Sequence, residues 1–211
     1  MNTKSHSLNP TNPLLIVISG PSGVGKDTVL SKMKGLAKPY HFTVTATTRP
    51  MRSTEQNGVD YIFVTKKIFC KMIESDEFLE WAEVHGNHYG IPRQQILDAM
   101  KNGNDIIVKP DIQGAKTIKK IYPNAVLIFL APPDINELST RLTLRMTESS
   151  SELKARLKTA KQEMRKKDQF DYVVVNHHNK IDGTIKEIET IIHKEKTRKS
   201  NHGTPIRPNL N

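Results

Sequence analysis

Short apolar runs alternate with helical patterns along most of the chain. "LLIVIS" at 14–19 is apolar at nearly every position, the pattern of a strand covered on both faces. "NDIIVKP" (104–110), "AVLIFLAP" (125–132) and "YVVVN" (172–176) repeat it, and "HFTVTATT" (41–48) is a further strand candidate. Between them lie "VLSKMKGL" (29–36), "QGAKTIKKIY", "INELSTRLTL" and the long "SSSELKARLKTAKQEMRKK" (149–167), which read as helices. In the last, Leu153, Leu157, Ala160 and Met164 keep the spacing of one helix face. A final helix is expected from about Ile181 to Lys196. Strand and helix in alternation predict an α/β fold, a parallel sheet with helices on both faces.

Residues 45–90 break that rhythm. They are dense in Thr, Arg, Gly, Tyr and His, with short strand signals such as "DYIFVT". They read as a lobe inserted between core strands, leaving the sheet at the carboxyl ends where ligands of open parallel sheets sit.

Composition narrows the class. A chain of 211 residues, 36% hydrophobic and 26% charged, suits one soluble domain with a full core. "LLIVI" is too short to span a bilayer and has neither the basic flank nor the cleavage site of a signal peptide. The single cysteine, Cys70, excludes an internal disulfide or a thiolate metal cage and makes the cytoplasm the expected compartment, with no membrane partner. It reads as an inert core residue. His85 and His88 are three apart without a third ligand, so no metal site is expected there. Met33, Met72 and Met164 read as packing. The formal net charge of +10 fits a binder of nucleic acid or of small anions. No RNA-binding signature is present, so nucleic acid is not expected as a partner. Residues 1–13 and the polar stretch from His193 read as disordered, the tail being bounded at 198–211.

The chemistry starts at "GPSGVGKDT", which follows the first strand and opens the first helix. Gly20, Pro21, Ser22, Gly23, Val24, Gly25, Lys26, Asp27 and Thr28 have nearly the spacing of a phosphate-binding loop. The glycines let successive N–H groups face one anion, the helix adds its positive end, and Lys26 reaches toward the β- and γ-phosphates. A hydroxyl residue usually follows the lysine. Here it is Asp27, with Thr28 next.

The blocks "TVTATTRPMRSTEQNGVDYIFV", "EFLEWAEVHGNHYG", "DIQGA" and "RLTLRMTESSSELKARL" resemble the guanylate kinase family, in family order, from about Leu14 to Asn176. The resemblance implies a core of 14–44 and 92–197, a mixed α/β GMP-binding lobe at 45–91 and a small helical lid near 143–152. It implies ATP as donor, GMP as acceptor, and Mg²⁺ held mainly by phosphates and water, with Asp27 a candidate ligand. Glu80 stands where the family reads guanine, and a carboxylate there accepts from both N1–H and the N2 amine. Thr45 matches a hydroxyl that bonds the base. Arg49, Arg52, Tyr61 and Tyr89 match the clamp on the GMP phosphate, and Asp111 matches the aspartate beside bound GMP. Lys26 with Arg141, Arg145 and Arg156 would stabilise the moving phosphoryl group. A monomer or weak homodimer is expected.

Four positions depart from that pattern: Asp27, Lys109 two residues before Asp111 where an acid is usual, Ile91 in place of a Ser or Thr, and Met146 in place of a lid glycine. Ile91 is expected to remove a hydrogen bond to the GMP phosphate. Asp27 and Lys109 are expected to form a charge-swapped pair, within about 4 Å. Two other readings stay open on the residues alone: a kinase of another phosphorylated small molecule, and a non-catalytic module holding a phosphopeptide in the GMP cleft.

Overall fold

The computed structural model describes residues 13–36, 38–84, 86–143 and 150–202, with backbone alone at 150–154 and 200–202. In chain order the elements are β1 (Leu15–Ser19), α1 (Lys26–Lys34), β2 (Tyr40–Phe42), β3 (Ala46–Thr47), β4 (Ile62–Phe63), α2 (Lys66–Glu74), β5 (Phe78–Val84), β6 (Asn87–Pro92), α3 (Arg93–Lys101), β7 (Asp105–Val108), α4 (Ile112–Ile121), β8 (Val126–Ala131), α5 (Ile135–Thr143), α6 (Ser150–Met164), β9 (Tyr172–Val175) and α7 (Ile181–His202). The fold is α/β. A five-stranded parallel sheet has the order β2-β7-β1-β8-β9.

Alternation of side chains along β1 explains the double burial. Leu14, Ile16 and Ile18 pack with Val29, Leu30 and Met33 of α1 and with Ile185, Ile188 and Ile192 of α7. Leu15 and Val17 face the other way, onto Ile96 and Ala99 of α3 and Ala115 and Ile118 of α4. All five β1 residues are buried, so a continuous apolar run was needed there.

The lobe carries a second sheet of order β4-β3-β6-β5. The strand expected over 41–48 is in fact two strands in different sheets. The chain changes sheets at Val44, whose backbone N–H and C=O are both taken by the Gln95 side-chain amide, at 2.7 and 3.0 Å. A side chain there supplies the pairing that neither sheet offers, which periodicity cannot reveal. The "DYIFVT" signal gives only the two residues of β4. Leu79 and Ile91 of the lobe sheet join the α3/α4 core. Ile91 is fully buried there: its methyl groups fill core volume.

α1 starts at Lys26, three residues before its expected start. Met33 is buried, while Met72 and Met164 pack partly buried against apolar clusters. Cys70 is half-buried rather than in the core. The lid segment at residues 144–149, with Arg145 and Met146, lies outside the described residues, as do 1–12 and 203–211.

The carboxyl-terminal boundary needs correction. α7 runs on to His202, past both the expected helix end and the start of the expected disordered tail. Polar contacts hold it. Lys196 Nζ lies 2.6 Å from buried Asp105, whose other oxygen accepts from the Leu14 N–H. Tyr172 donates to Glu195 at 2.7 Å, and buried Lys199 donates to the Asn124 carbonyl. Composition alone suggested a loose tail because these long-range partners are invisible in it. Lys196→Met should therefore strand a buried carboxylate and lower unfolding free energy by roughly 1–3 kcal/mol. Urea denaturation with an unchanged m-value checks it, and an unchanged midpoint would show that the tail is not anchored through Asp105.

Candidate active site

The site is built at the carboxyl end of β1, between β7 and β8. Gly20 turns the chain there, and a Cβ on it would lie 2.2 Å from the Leu130 carbonyl oxygen of β8. Gly25 caps α1 at φ +98°, a conformation that favours glycine. Behind the loop, Asn176 Nδ2 and Arg141 Nη1 both donate to the Val24 carbonyl, at 2.8 and 2.9 Å. Arg141 also bonds Glu137 and the Asn176 carbonyl. It braces the loop from behind and is not among the side chains that line the cleft.

The cleft holds about 660 Å³ and runs from this loop to Glu80. Of the expected residues it is lined by Gly20, Ser22, Gly23, Val24, Gly25, Lys26, Asp27, Thr45, Arg49, Arg52, Tyr61, Glu80, Tyr89, Asp111 and Arg156. Pro21 and Thr28 belong to the loop but do not face into it.

Several charged groups of the cleft contact partners within the protein. Lys26 Nζ turns back onto the carbonyls of Gly20 and Pro21, and burial holds its pKa below the ordinary lysine value against the pull of Glu163, Asp27 and Asp111. From α6, Glu163 accepts the Ser22 N–H at 3.2 Å, and Arg156 donates to the Ser22 hydroxyl at 2.7 Å. In the lobe, Glu55 lies 2.7 Å from Arg49 and 3.8 Å from Arg52. Burial would raise the Glu55 carboxyl, but the Arg49 and Arg52 contacts outweigh it and hold it low. Arg49 also lies over the rings of Tyr61 and Phe63.

The expected pair is present. Lys109 Nζ lies 2.6 Å from Asp27 Oδ1 and 4.1 Å from the centre of the Tyr61 ring. Burial would lower the Lys109 pKa, but Asp27 and Tyr61 together raise it, so the amine is held charged.

The far end of the cleft is drier. Glu80 is 8% exposed, and Thr45 is buried with no hydrogen-bond partner for its hydroxyl. Burial, with a smaller push from Asp111, raises the Glu80 carboxyl to about 8. Gly114, in the first turn of α4, leaves the space the carboxylate occupies: a Cβ on it would lie 2.4 Å from Glu80 Oε2. Asp111 caps that helix, accepting the Gly114 N–H at 2.7 Å.

Sequence reasoning did not single out Glu55, Glu163, Asn176 or Gly114. Signals were present for two of them. Glu55 is three residues after Arg52 and six after Arg49, and Glu163 is two helical turns after Arg156.

Three comparisons bear on this site. A guanylate kinase family model matches residues 12–195. The chain is 46% identical over 190 residues to guanylate kinase 2, chloroplastic/mitochondrial, of Oryza sativa subsp. japonica, covering 90% of this chain and 67% of that protein. It is 42% identical to the guanylate kinase of Syntrophomonas wolfei, covering 89% and 95%. The crystal structure of guanylate kinase from Anaplasma phagocytophilum superposes with a TM-score of 0.72 at 32% identity, covering 88% and 87%.

Two outcomes follow from the dry end. A carboxylate raised to about 8 must lose its proton before it can accept two N–H donors. A purine monophosphate with such a donor pair should therefore bind roughly fivefold tighter at pH 8 than at pH 7, where the ligand's phosphate is already dianionic and its N1–H is still in place. Calorimetry across that range checks it, and Glu80→Gln should flatten the profile. Gly114→Ala should displace the carboxylate and weaken the same ligand about tenfold or more. Binding of an ATP analogue at the loop should stay within about twofold, because Gly114 lies at the other end of the cleft. Equal losses for both ligands would point to general misfolding instead.

Proposed function

The chain belongs to the guanylate kinase family and catalyses the phosphorylation of GMP to GDP, and from that premise we propose how its cleft divides the work. The observation that carries the reading is a single cleft with a glycine-lysine loop at one end and a buried carboxylate beside an unpartnered hydroxyl at the other. As an enzyme with this acceptor it is neither a phosphopeptide-holding module nor a kinase of an unrelated small molecule.

Glu80 reads guanine through N1–H and the N2 amine, and Thr45 supplies a further hydrogen bond to the base. Adenine has no such donor pair and would leave a buried carboxylate unmatched. Arg49 and Arg52 exchange Glu55 for the GMP phosphate, with Tyr61 and Tyr89 donating to it and Asp111 close by. Lys26 exchanges the Gly20 and Pro21 carbonyls for the β- and γ-phosphates of ATP. The backbone N–H groups of the loop, with Ser22, Gly23 and Val24 at its centre, cradle those phosphates.

The acceptor atom is an anionic phosphate oxygen, so the reaction needs positioning and charge stabilisation rather than a general base. Arg156 is the α6 cation placed at the loop, and Arg145 is proposed as its lid counterpart. Arg141 contributes by bracing Val24 rather than by touching the moving group.

Guanylate kinases are kinases that use a divalent metal. Among the described residues no cluster of three acidic, His or Cys side chains could hold one, a donor set that fits Mg²⁺ held mainly by phosphates and water. Asp27 is the carboxylate in the loop able to contribute, directly or through water. When bound, the ion would supply charge neutralisation to the transferring phosphates. The proposed assembly is a monomer or weak homodimer. No helix among the described residues is long and apolar enough to cross a membrane. A cytoplasmic setting is supported by the single half-buried thiol, although the rice relative bears an organellar name.

A coupled assay of ADP release with ATP and a panel of nucleoside monophosphates tests the reading. GMP should be the preferred acceptor, and Glu80→Gln, which turns an acceptor toward guanine into a donor, should cut kcat/KM for GMP about 100-fold or more. A Glu80→Gln enzyme with unchanged GMP kinetics would remove Glu80 from guanine recognition.

A further inference from the structure

Lys109 belongs to neither nucleotide subsite as described above, yet it touches both. It follows Val108, which pairs in register with Val17 of β1, so it emerges beside the phosphate loop. Its ammonium bonds Asp27 of that loop at 2.6 Å and sits 4.1 Å above the Tyr61 ring of the lobe. Its side chain is only 15% exposed, whereas Asp27 is 56% exposed, and both line the cleft. We propose that Lys109 is a further substrate-binding and catalytic cation of the phosphoryl transfer, lying between the acceptor phosphate at Tyr61 and the γ-phosphoryl group at the loop, with Asp27 as the residue that positions it. This rests on the reading of the two subsites given above.

A structural ion pair is a poor account of this geometry. An ion pair with a partner as exposed as Asp27 contributes little to stability, and the ammonium is desolvated to make it. The chemistry gives a reason for a cation here. Two anions, the GMP phosphate and the γ-phosphate, must come within bonding reach. The new bond joins a GMP phosphate oxygen to Pγ. The bond that breaks is Pγ–O to the β-phosphate, and its electron pair leaves with ADP. Lys109 stays an ammonium throughout and offsets the repulsion as the anions approach. Lys26 meets the phosphates from the loop side, while Arg49 and Arg52 hold the acceptor from the lobe. Lys109 is in direct contact with a residue of each side, and the Tyr61 face adds cation–π attraction that keeps the amine in the cleft.

The test compares Lys109→Met, Lys109→Arg and Asp27→Asn with the wild-type enzyme. It measures kcat, each KM, thermal melting, and calorimetric affinity for GMP with and without a non-hydrolysable ATP analogue plus Mg²⁺. Lys109→Met should lower kcat about 100-fold. It should weaken GMP binding about tenfold in the presence of the analogue and only about threefold without it, because the cation matters most when both anions are present. Lys109→Arg, which keeps the charge, should recover at least about a tenth of wild-type kcat, and Asp27→Asn should lose less than Lys109→Met. If the pair were structural, Lys109→Met and Asp27→Asn would show matching, small losses of kcat and matching falls in melting temperature, and that result would overturn the proposal. Should Lys109→Met fail to melt cooperatively, Lys109→Gln decides, since it keeps the stem and can still donate to Asp27. Lys109→Gln with kcat within about threefold of wild type overturns the proposal, and a loss like that expected for Lys109→Met supports it. A wild-type enzyme that does not phosphorylate GMP would instead remove the reading of the subsites on which the proposal stands.

Discussion

The site depends on β1 being enclosed on every side. Its neighbours β7 and β8 pair with it along both edges, and helices cover both of its faces. At its carboxyl terminus the chain turns sharply, and Gly20 is where the Leu130 carbonyl leaves no room for a side chain. The loop after it is held through the Val24 carbonyl by Asn176 and Arg141. The end of β7 lies alongside, so Lys109 and Asp111 emerge next to the loop. The lobe sheet is carried against the same core through Leu79 and Ile91, which brings Glu80 to the other end of the cleft.

The second constraint is electrostatic. A cleft shaped for two anions concentrates positive charge, and without ligand that charge needs partners. The protein supplies them: Glu55 for Arg49 and Arg52, Asp27 for Lys109, backbone carbonyls for Lys26. Nucleotide binding as proposed would exchange these partners, so each contact would add less to affinity than its geometry suggests. The guanine end works in the opposite sense. There the carboxylate of Glu80 lies in a dry pocket and its charged form is disfavoured. In the proposed reading it becomes favourable when a base offers two donors at once. The proposed division of work places selectivity at the dry end and phosphate affinity at the wet one.

Much of this was legible in the sequence. The apolar runs placed β1, β7 and β8, whose residues are buried throughout, and β9, which is equally apolar in sequence but lies part-exposed at the sheet edge. The phosphate loop was legible through its glycine and lysine spacing, and the opposite charges of Asp27 and Lys109, at two positions that depart from the family pattern, led to the expectation of their contact. What could not be read depended on long-range partners. Gln95 standing in for a strand at Val44, Asp105 anchoring the far end of α7, and Gly114 making room for Glu80 all join residues distant in sequence. Arg141 shows the same limit from the functional side. Its place in an arginine-rich segment suggested a lid cation, whereas its contacts brace Val24. Ile91 was expected only to remove a phosphate contact; that it also fills core volume was not legible in the sequence.

The central claim is that one cleft holds both nucleotides end to end, with guanine at the buried carboxylate and the phosphates meeting between the loop and the lobe. A crystal structure of the enzyme with GMP and a non-hydrolysable ATP analogue tests it most directly. The account predicts guanine N1 and N2 within hydrogen-bonding distance of Glu80, the GMP phosphate among Arg49, Arg52, Tyr61 and Tyr89, and the analogue's phosphates on the loop around Lys26. Guanine bound away from Glu80, or phosphates of the two nucleotides held on separate faces, would contradict it.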